Sequence, residues 1–146
     1  MFSIIVDYPN VNEELEIVKK TTSFNNEDLK IVLNSEEIIN FQKSLLTIPV
    51  TDNVYEYAIN LVRKTRPNSE SSTKEIQQYL DWGAGPRASQ YLIVAAKTHA
   101  VFSGKYSPDI EDVRSVALNV LRHRLVKNYK AEAEGVTIEE IIENLF

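Results

Sequence analysis

The sequence contains no cysteine, and among its 146 residues it has one tryptophan, one methionine, two histidines, four glycines and five prolines. Without cysteine there can be no disulfide, no thiol nucleophile and no thiolate metal site, a usage that fits a cytoplasmic location. No apolar run approaches the roughly 18 residues of a membrane-spanning helix. The opening stretch, Met1 to Pro9, lacks a basic leader and meets Asp7 too early for a signal peptide, so membrane insertion is not expected. Basic surplus is missing too. Lys and Arg number 16 against 21 Asp and Glu, which leaves a net charge of −5 and argues against nucleic-acid partners. Neither the Gly-x-x-x-x-Gly-Lys-Ser/Thr loop nor Gly-x-Gly-x-x-Gly after a strand is present, so the usual nucleotide cradles are excluded. His99 and His123 are not spaced as a metal pair and have no His-x-x-x-His or Glu-x-x-His companion, so no metal site is expected.

What is present is helical, in a chain long enough for one domain with a real core. Phe2 to Val6 is β-branched and apolar and ends at Asp7-Tyr8-Pro9, which predicts a strand; a lone strand lacks a ladder partner and hints at a fragment. Asn10 and Glu13 form a capping box ahead of a stripe of Val11, Leu15 and Val18. Thr21 to Lys30 is polar and aperiodic, a loop, and Ile31-Val32-Leu33 is too short to classify. Ser35 is expected to cap a second helix with the stripe Ile38, Phe41, Leu45 and Ile48, stopped by Pro49. Thr51 or Asp52 opens a third, whose stripe is Val54, Ala58, Leu61 and Val62. Its last turn gathers Arg63, Lys64 and Arg66 as partners of the helix dipole. Asn68 to Thr73 is linker-like, and Lys74 to Trp82 reads as either a short helix or an extended piece. A fourth helix is expected from Pro86 to about Ser103, with Ala88, Tyr91, Leu92, Ala95, Ala96, His99 and Phe102 on a wide apolar face and Gly104 as its C-cap. Its small residues predict a central place in the bundle. Ser107 and Pro108 start a fifth helix that buries Ile110, Val113, Ala117, Val120 and Leu121. Thr137 and Glu140 cap a short last helix carrying Ile138, Ile141, Ile142 and Leu145.

The stretch Gly83-Ala84-Gly85-Pro86-Arg87-Ala88-Ser89 is the candidate site. Pro86 suits the first helical position and Gly85 the N-cap. Arg87 then sits in the first turn, where a cation opposes the helix dipole by about 0.3–1 kcal/mol. Free N–H groups beside an arginine make an anion site, phosphate first among the anions; an arginine pointing into water is the alternative. Competing sites read as structural. His99 is expected to be a hydrogen-bonded core histidine, and His123 lies in a last turn that welcomes positive charge. Trp82 is read as a core anchor rather than a ligand platform. Arg122, His123, Arg124, Lys127 and Lys130 form a basic cluster with Tyr129 as its only aromatic, better suited to a solvated helix end or an acidic partner than to nucleic acid. Glu132, Glu134, Glu139, Glu140 and Glu143 read as a solvated face.

Several of these pieces together resemble the C-terminal part of MoxR-type AAA+ ATPases. They are Asp7-Tyr8-Pro9, Leu61-Val62-Arg63-Lys64-Thr65-Arg66, the Gly83 to Ser89 stretch, Val120-Leu121-Arg122-His123-Arg124 and Ala131-Glu132-Ala133-Glu134-Gly135. The likeness runs along nearly the whole chain in order, although Asn68 to Trp82 is longer and more polar than the common pattern. The resemblance implies an all-α helical lid over residues 10–146, with residues 1–9 a remnant strand and linker from an α/β ATPase core. It implies that Arg87 is the second-sensor residue approaching the γ-phosphate of ATP, with Gly85, Pro86 and Ala88 forming its turn. No cofactor is then expected in the isolated chain, which would be inactive alone, while ATP and Mg are implied for the full-length enzyme. The implied partners are the chain's own ATPase core, neighbouring subunits of an oligomeric ring and von Willebrand factor A-domain proteins, in a chaperone-like remodelling role. A free-standing helical interaction module with no nucleotide role is the alternative.

Overall fold

The computed structural model describes residues 2–23 and 30–146, and among these the chain forms eight helices and one two-stranded ladder. The core is built on three helices with strong 3.6-residue apolar periodicity. Helix α3 (Asp52–Lys64) buries all four residues of its expected stripe, Val54, Ala58, Leu61 and Val62. Helix α5 (Pro86–Phe102) lies at the centre, against α3 on one side and α6 (Ile110–Leu121) on the other. Ala88, Ala95, Ala96 and Ala100 let these neighbours approach α5 closely. Helix α8 (Ile138–Glu143) closes the core with Ile141, Ile142 and the following Leu145. Each fully buried leucine or isoleucine here is worth about 1.5–3 kcal/mol of transfer free energy.

The helix ends follow local chemistry. Pro86 stands at the first helical position of α5 and Gly85 is its N-cap. At the other end Gly104 takes φ 74°, and the Lys105 N–H donates to the Ala100 carbonyl at 2.8 Å, a Schellman closure that only glycine enters without strain. Helix α6 is capped reciprocally by Asp109 and Asp112, so it begins at Ile110 and not at the expected Ser107-Pro108, because the Asp109 side chain takes the Asp112 N–H. The expected Lys74–Trp82 ambiguity resolves into both forms: helix α4 (Lys74–Tyr79) runs directly into strand β1 (Leu80–Trp82). That strand pairs antiparallel with β2 (Val126–Lys127), Leu80 opposite Lys127 and Trp82 opposite Val126. Helix α7 (Tyr129–Ala133) follows and packs against α4. Neither β2 nor α7 was expected, because segments this short carry no period to detect.

The first third of the chain differs most from expectation. Helix α1 (Val11–Thr21) has its Asn10–Glu13 capping box, and α2 (Ser35–Leu46) has one as well. The α2 cap is Asn34 paired with Glu37, not Ser35, which forms the first helical residue. Neither helix buries a single residue. Val11 is 82% exposed and Phe41 59%, since no described element packs across the stripe of α1, and α2 meets α5 only along one edge through half-buried Leu45 and Ile48. Phe2 to Val6 forms no ladder, because no described strand lies beside it; the Ser3 N–H donates to the Asn119 carbonyl at 2.8 Å, and Phe2 shares a shallow hollow with Tyr91, Val94, Ala95 and Thr98 of α5. Within the expected Thr21–Lys30 loop, residues 24–29 lie outside the described residues.

Candidate functional site

The Gly83–Ser89 turn is fastened to the end of α3 through main-chain groups. Thr65, fully buried, donates its hydroxyl to the Val62 carbonyl at 2.6 Å and accepts the Ala84 N–H at 2.9 Å. The next residue, Arg66, donates Nε to the Ala84 carbonyl at 3.0 Å. Both main-chain polar groups of Ala84 are therefore taken by consecutive residues of one helix terminus. Gly83 makes this approach possible. A Cβ on it would lie 2.6 Å from the Arg66 Cα and closer still to the Thr65 carbonyl. Gly85, by contrast, faces open space, and its use is that of an N-cap without a side chain.

Beyond this clamp the turn delivers Arg87 to the surface. The side chain is exposed and has neither a hydrogen bond nor an ion pair among the described residues. Pro86 is exposed beside it, whereas Ala88 is fully buried and anchors the first turn of α5 in the core. Of the four residues expected to form the site, three line the surface and one holds it in place. An unpaired guanidinium at a helix N-terminus, next to N–H groups with no intrahelical acceptor, can grip an anion.

The rival residues are used structurally. His99 lies three turns further along α5, about 18 Å from Arg87 by helical rise. Its Nδ1 meets Oδ1 of buried Asp112 at 2.7 Å, with the ring itself 41% exposed, so it is hydrogen-bonded as expected but only partly in the core. Asp112 also receives the Asp109 N–H at 2.8 Å and Lys105 Nζ at 3.2 Å on each oxygen. Lys105 reaches Asp109 as well, at 2.9 Å. That contact, followed by the Asp112 N–H, holds the Asp109 carboxyl down to about 2, while the two aspartates raise the Lys105 ammonium above its ordinary value. Through His99 and Lys105 this knot joins α5 and the turn after it to the start of α6.

Trp82 is 71% exposed, which corrects its expected place in the core. Alternation along a regular strand would place Leu80 and Trp82 on one face, but the register shifts between them, so Leu80 is buried while Trp82, across from Val126, is exposed. The basic cluster finds its acidic partners within the chain, among glutamates that stay in water as expected, Glu132, Glu134, Glu140 and Glu143 being exposed and Glu139 half-buried. Arg122 pairs with Glu139 at 2.7 Å, Lys127 with Glu132 at 3.1 Å and Lys130 with Glu134 at 3.8 Å. Arg124 donates to the Val120 carbonyl and lies over the Tyr91 ring at 5.3 Å. Burial and then the Arg124 charge push His123 below its ordinary value, so this helix end does not favour its protonation. Phe102, counted on the apolar face of α5, is exposed at the last turn. Among the described residues, no group of three or more His, Asp or Glu is placed to hold a metal ion, and no helix is long and apolar enough to cross a membrane.

Sequence reasoning missed Thr65, and assigned Arg66 only to the helix dipole. Both look like ordinary helix-end residues, and the partner they share is 19 and 18 residues away.

Comparison with known proteins bears on this geometry. A family described as the AAA lid domain matches residues 72–145, a span that includes Arg87. The chaperone MoxR1 of Mycobacterium tuberculosis (strain ATCC 25618 / H37Rv) is 30% identical over 142 residues, 97% of this chain and 37% of the relative. The uncharacterized protein YeaC of Bacillus subtilis (strain 168) is 27% identical over 146 residues, 99% of this chain and 43% of its own length. A crystal structure of a provisionally assigned ATPase from Cytophaga hutchinsonii ATCC 33406 superposes with a TM-score of 0.85 at 29% identity, covering 99% of this chain and 44% of that one. The chain thus spans less than half the length of each.

Proposed function

The chain belongs to the AAA lid domain family, and from that premise we propose that it works as the C-terminal lid of a longer MoxR-like ATPase, with Arg87 as the residue that senses the γ-phosphate of ATP. One observation carries the proposal. Arg87 is an exposed cation without a described partner, set against its own helix dipole on a turn clamped from behind. Such an arrangement is costly for a structural arginine and useful for one that meets an anion.

The residues present fit a phosphate oxyanion. The guanidinium supplies planar donors, and the start of α5 adds main-chain N–H groups. ATP would supply the phosphoanhydride, and Mg and its ligands belong to the ATPase core. Arg87 would stabilise charge on the terminal phosphate and, through the clamp, tie its presence or loss to the position of α5 relative to that core. Residues 1–9 are then a remnant of the core and residues 10–146 the lid. The partners are that core, neighbouring subunits of a ring and, in a remodelling role, von Willebrand factor A-domain proteins. The uncovered apolar stripes of α1 and α2 support the reading of a piece of a longer protein, because such faces are left for other parts of it to cover.

The exposed groove between α2 and α5, about 630 Å³ and lined by Leu33, Ile38, Phe41, Val101 and Phe102 among others, favours the second reading, an interaction module without nucleotide. ATP turnover of the full-length enzyme separates the two. Arg87→Ala should lower kcat roughly hundred- to thousand-fold while the oligomer still assembles. Unchanged turnover with unchanged assembly would sink the sensor role.

A further inference from the structure

We propose that Thr65 and Arg66 are positioning residues for Arg87, so that the end of α3 sets where the sensing guanidinium points. The proposal rests on the lid reading above and adds to it a second pair of residues that never touch the nucleotide. Three observations converge. The Ala84 N–H is held by Thr65 Oγ1 at 2.9 Å and the Ala84 carbonyl by Arg66 Nε at 3.0 Å. Thr65 is itself fixed by donating to Val62 at 2.6 Å, inside a fully buried site. Gly83 brings the two backbones closer than any side chain would permit. Two bonds at successive main-chain groups remove both rocking and sliding of the turn, and only Gly85 and Pro86 separate it from Arg87. Proline holds φ near −65°, so little slack lies between clamp and guanidinium. Displacing a catalytic contact by about 1 Å can cost on the order of a hundred-fold in rate.

The test uses the full-length ATPase and four variants: Thr65→Val, Thr65→Ser, Arg87→Ala and the Thr65→Val/Arg87→Ala double. Valine keeps the shape of threonine and removes the acceptor for the Ala84 N–H; serine restores it. We expect Thr65→Val to lower kcat roughly ten-fold with the KM for ATP changed less than about two-fold, and Thr65→Ser to recover most of the rate. The double variant should be no slower than Arg87→Ala alone, because a misplaced guanidinium that is already gone cannot be lost twice. Amide exchange of the 146-residue chain supplies the structural readout. Protection at Ala84 should fall in Thr65→Val and return in Thr65→Ser. If Arg87→Ala is slow but Thr65→Val turns over at the wild-type rate, the positioning role is overturned and the sensor role stands. If the double variant is slower than either single by the product of their effects, Thr65 acts elsewhere and the proposal fails. Wild-type turnover in Arg87→Ala overturns the sensor role and the positioning role with it.

Discussion

At the scale of single residues, Gly83 is the most constrained position of the turn. A methyl group there meets main chain, which cannot rotate away as a side chain can. Gly83→Ala should therefore lower the unfolding free energy by at least about 1–3 kcal/mol, read as a shift in urea midpoint. Gly85→Ala, whose Cβ enters open space, should cost no more than about 1 kcal/mol as a poorer N-cap. The pair separates two glycines that look alike in the sequence. Arg87 shows the reverse case: its place in the first turn was legible from Gly85-Pro86 alone, and it lies on the surface as that pattern implies. Trp82 was not legible, because only the register of a three-residue strand decides which way its ring points, and so short a strand gives no alternation to count.

At the scale of elements, what the sequence made readable was periodicity and caps. The stripe of α3 is buried residue for residue, and the capping boxes of α1 and α8 stand where Asn10–Glu13 and Thr137–Glu140 placed them. What it hid were links between elements, such as the Lys105–Asp109–Asp112–His99 knot joining α5 to α6, whose members serve their own helix ends and each other at once. This knot gives the chain an acid limb. The Asp109 pKa is depressed to about 2 by Lys105 and the Asp112 N–H, whereas an unfolded aspartate titrates near 4, roughly. Its contribution is complete above the unfolded value and fades as pH falls toward about 2. Asparagine caps helices as well as aspartate does but carries no charge to titrate. Asp109→Asn should then flatten the fall in urea midpoint between about pH 4 and pH 2. Near neutrality it should change stability by less than about 1 kcal/mol. A fall as steep as that of the unaltered chain would place the acid sensitivity elsewhere.

For the molecule as a whole, the described residues divide into a packed body from Val50 onward and an N-terminal arm whose two helices bury nothing. The arm is tied to the body by Lys97 Nζ, which donates to the Leu46 carbonyl at 2.9 Å, by the Ser107 hydroxyl, which donates to the Pro49 carbonyl at 3.0 Å, by the Ser3–Asn119 bond and by the edge of α2 that meets α5. Removing residues 1–49 should leave the body folded and shift its unfolding free energy by at most about 2 kcal/mol, measured by circular dichroism during denaturation. Loss of cooperative unfolding would show that the arm is part of the core after all. Left in place, the arm gives this chain a particular colloid chemistry. A net charge of −5 keeps copies apart near neutral pH, while Val11, Ile31, Val32 and Phe41 stand in water on every copy. The two forces answer to different solutes. Approaching the isoelectric point near pH 5.1 removes the repulsion, and added sulfate strengthens the attraction, so the chain's solubility narrows from both sides toward mild acid and high sulfate.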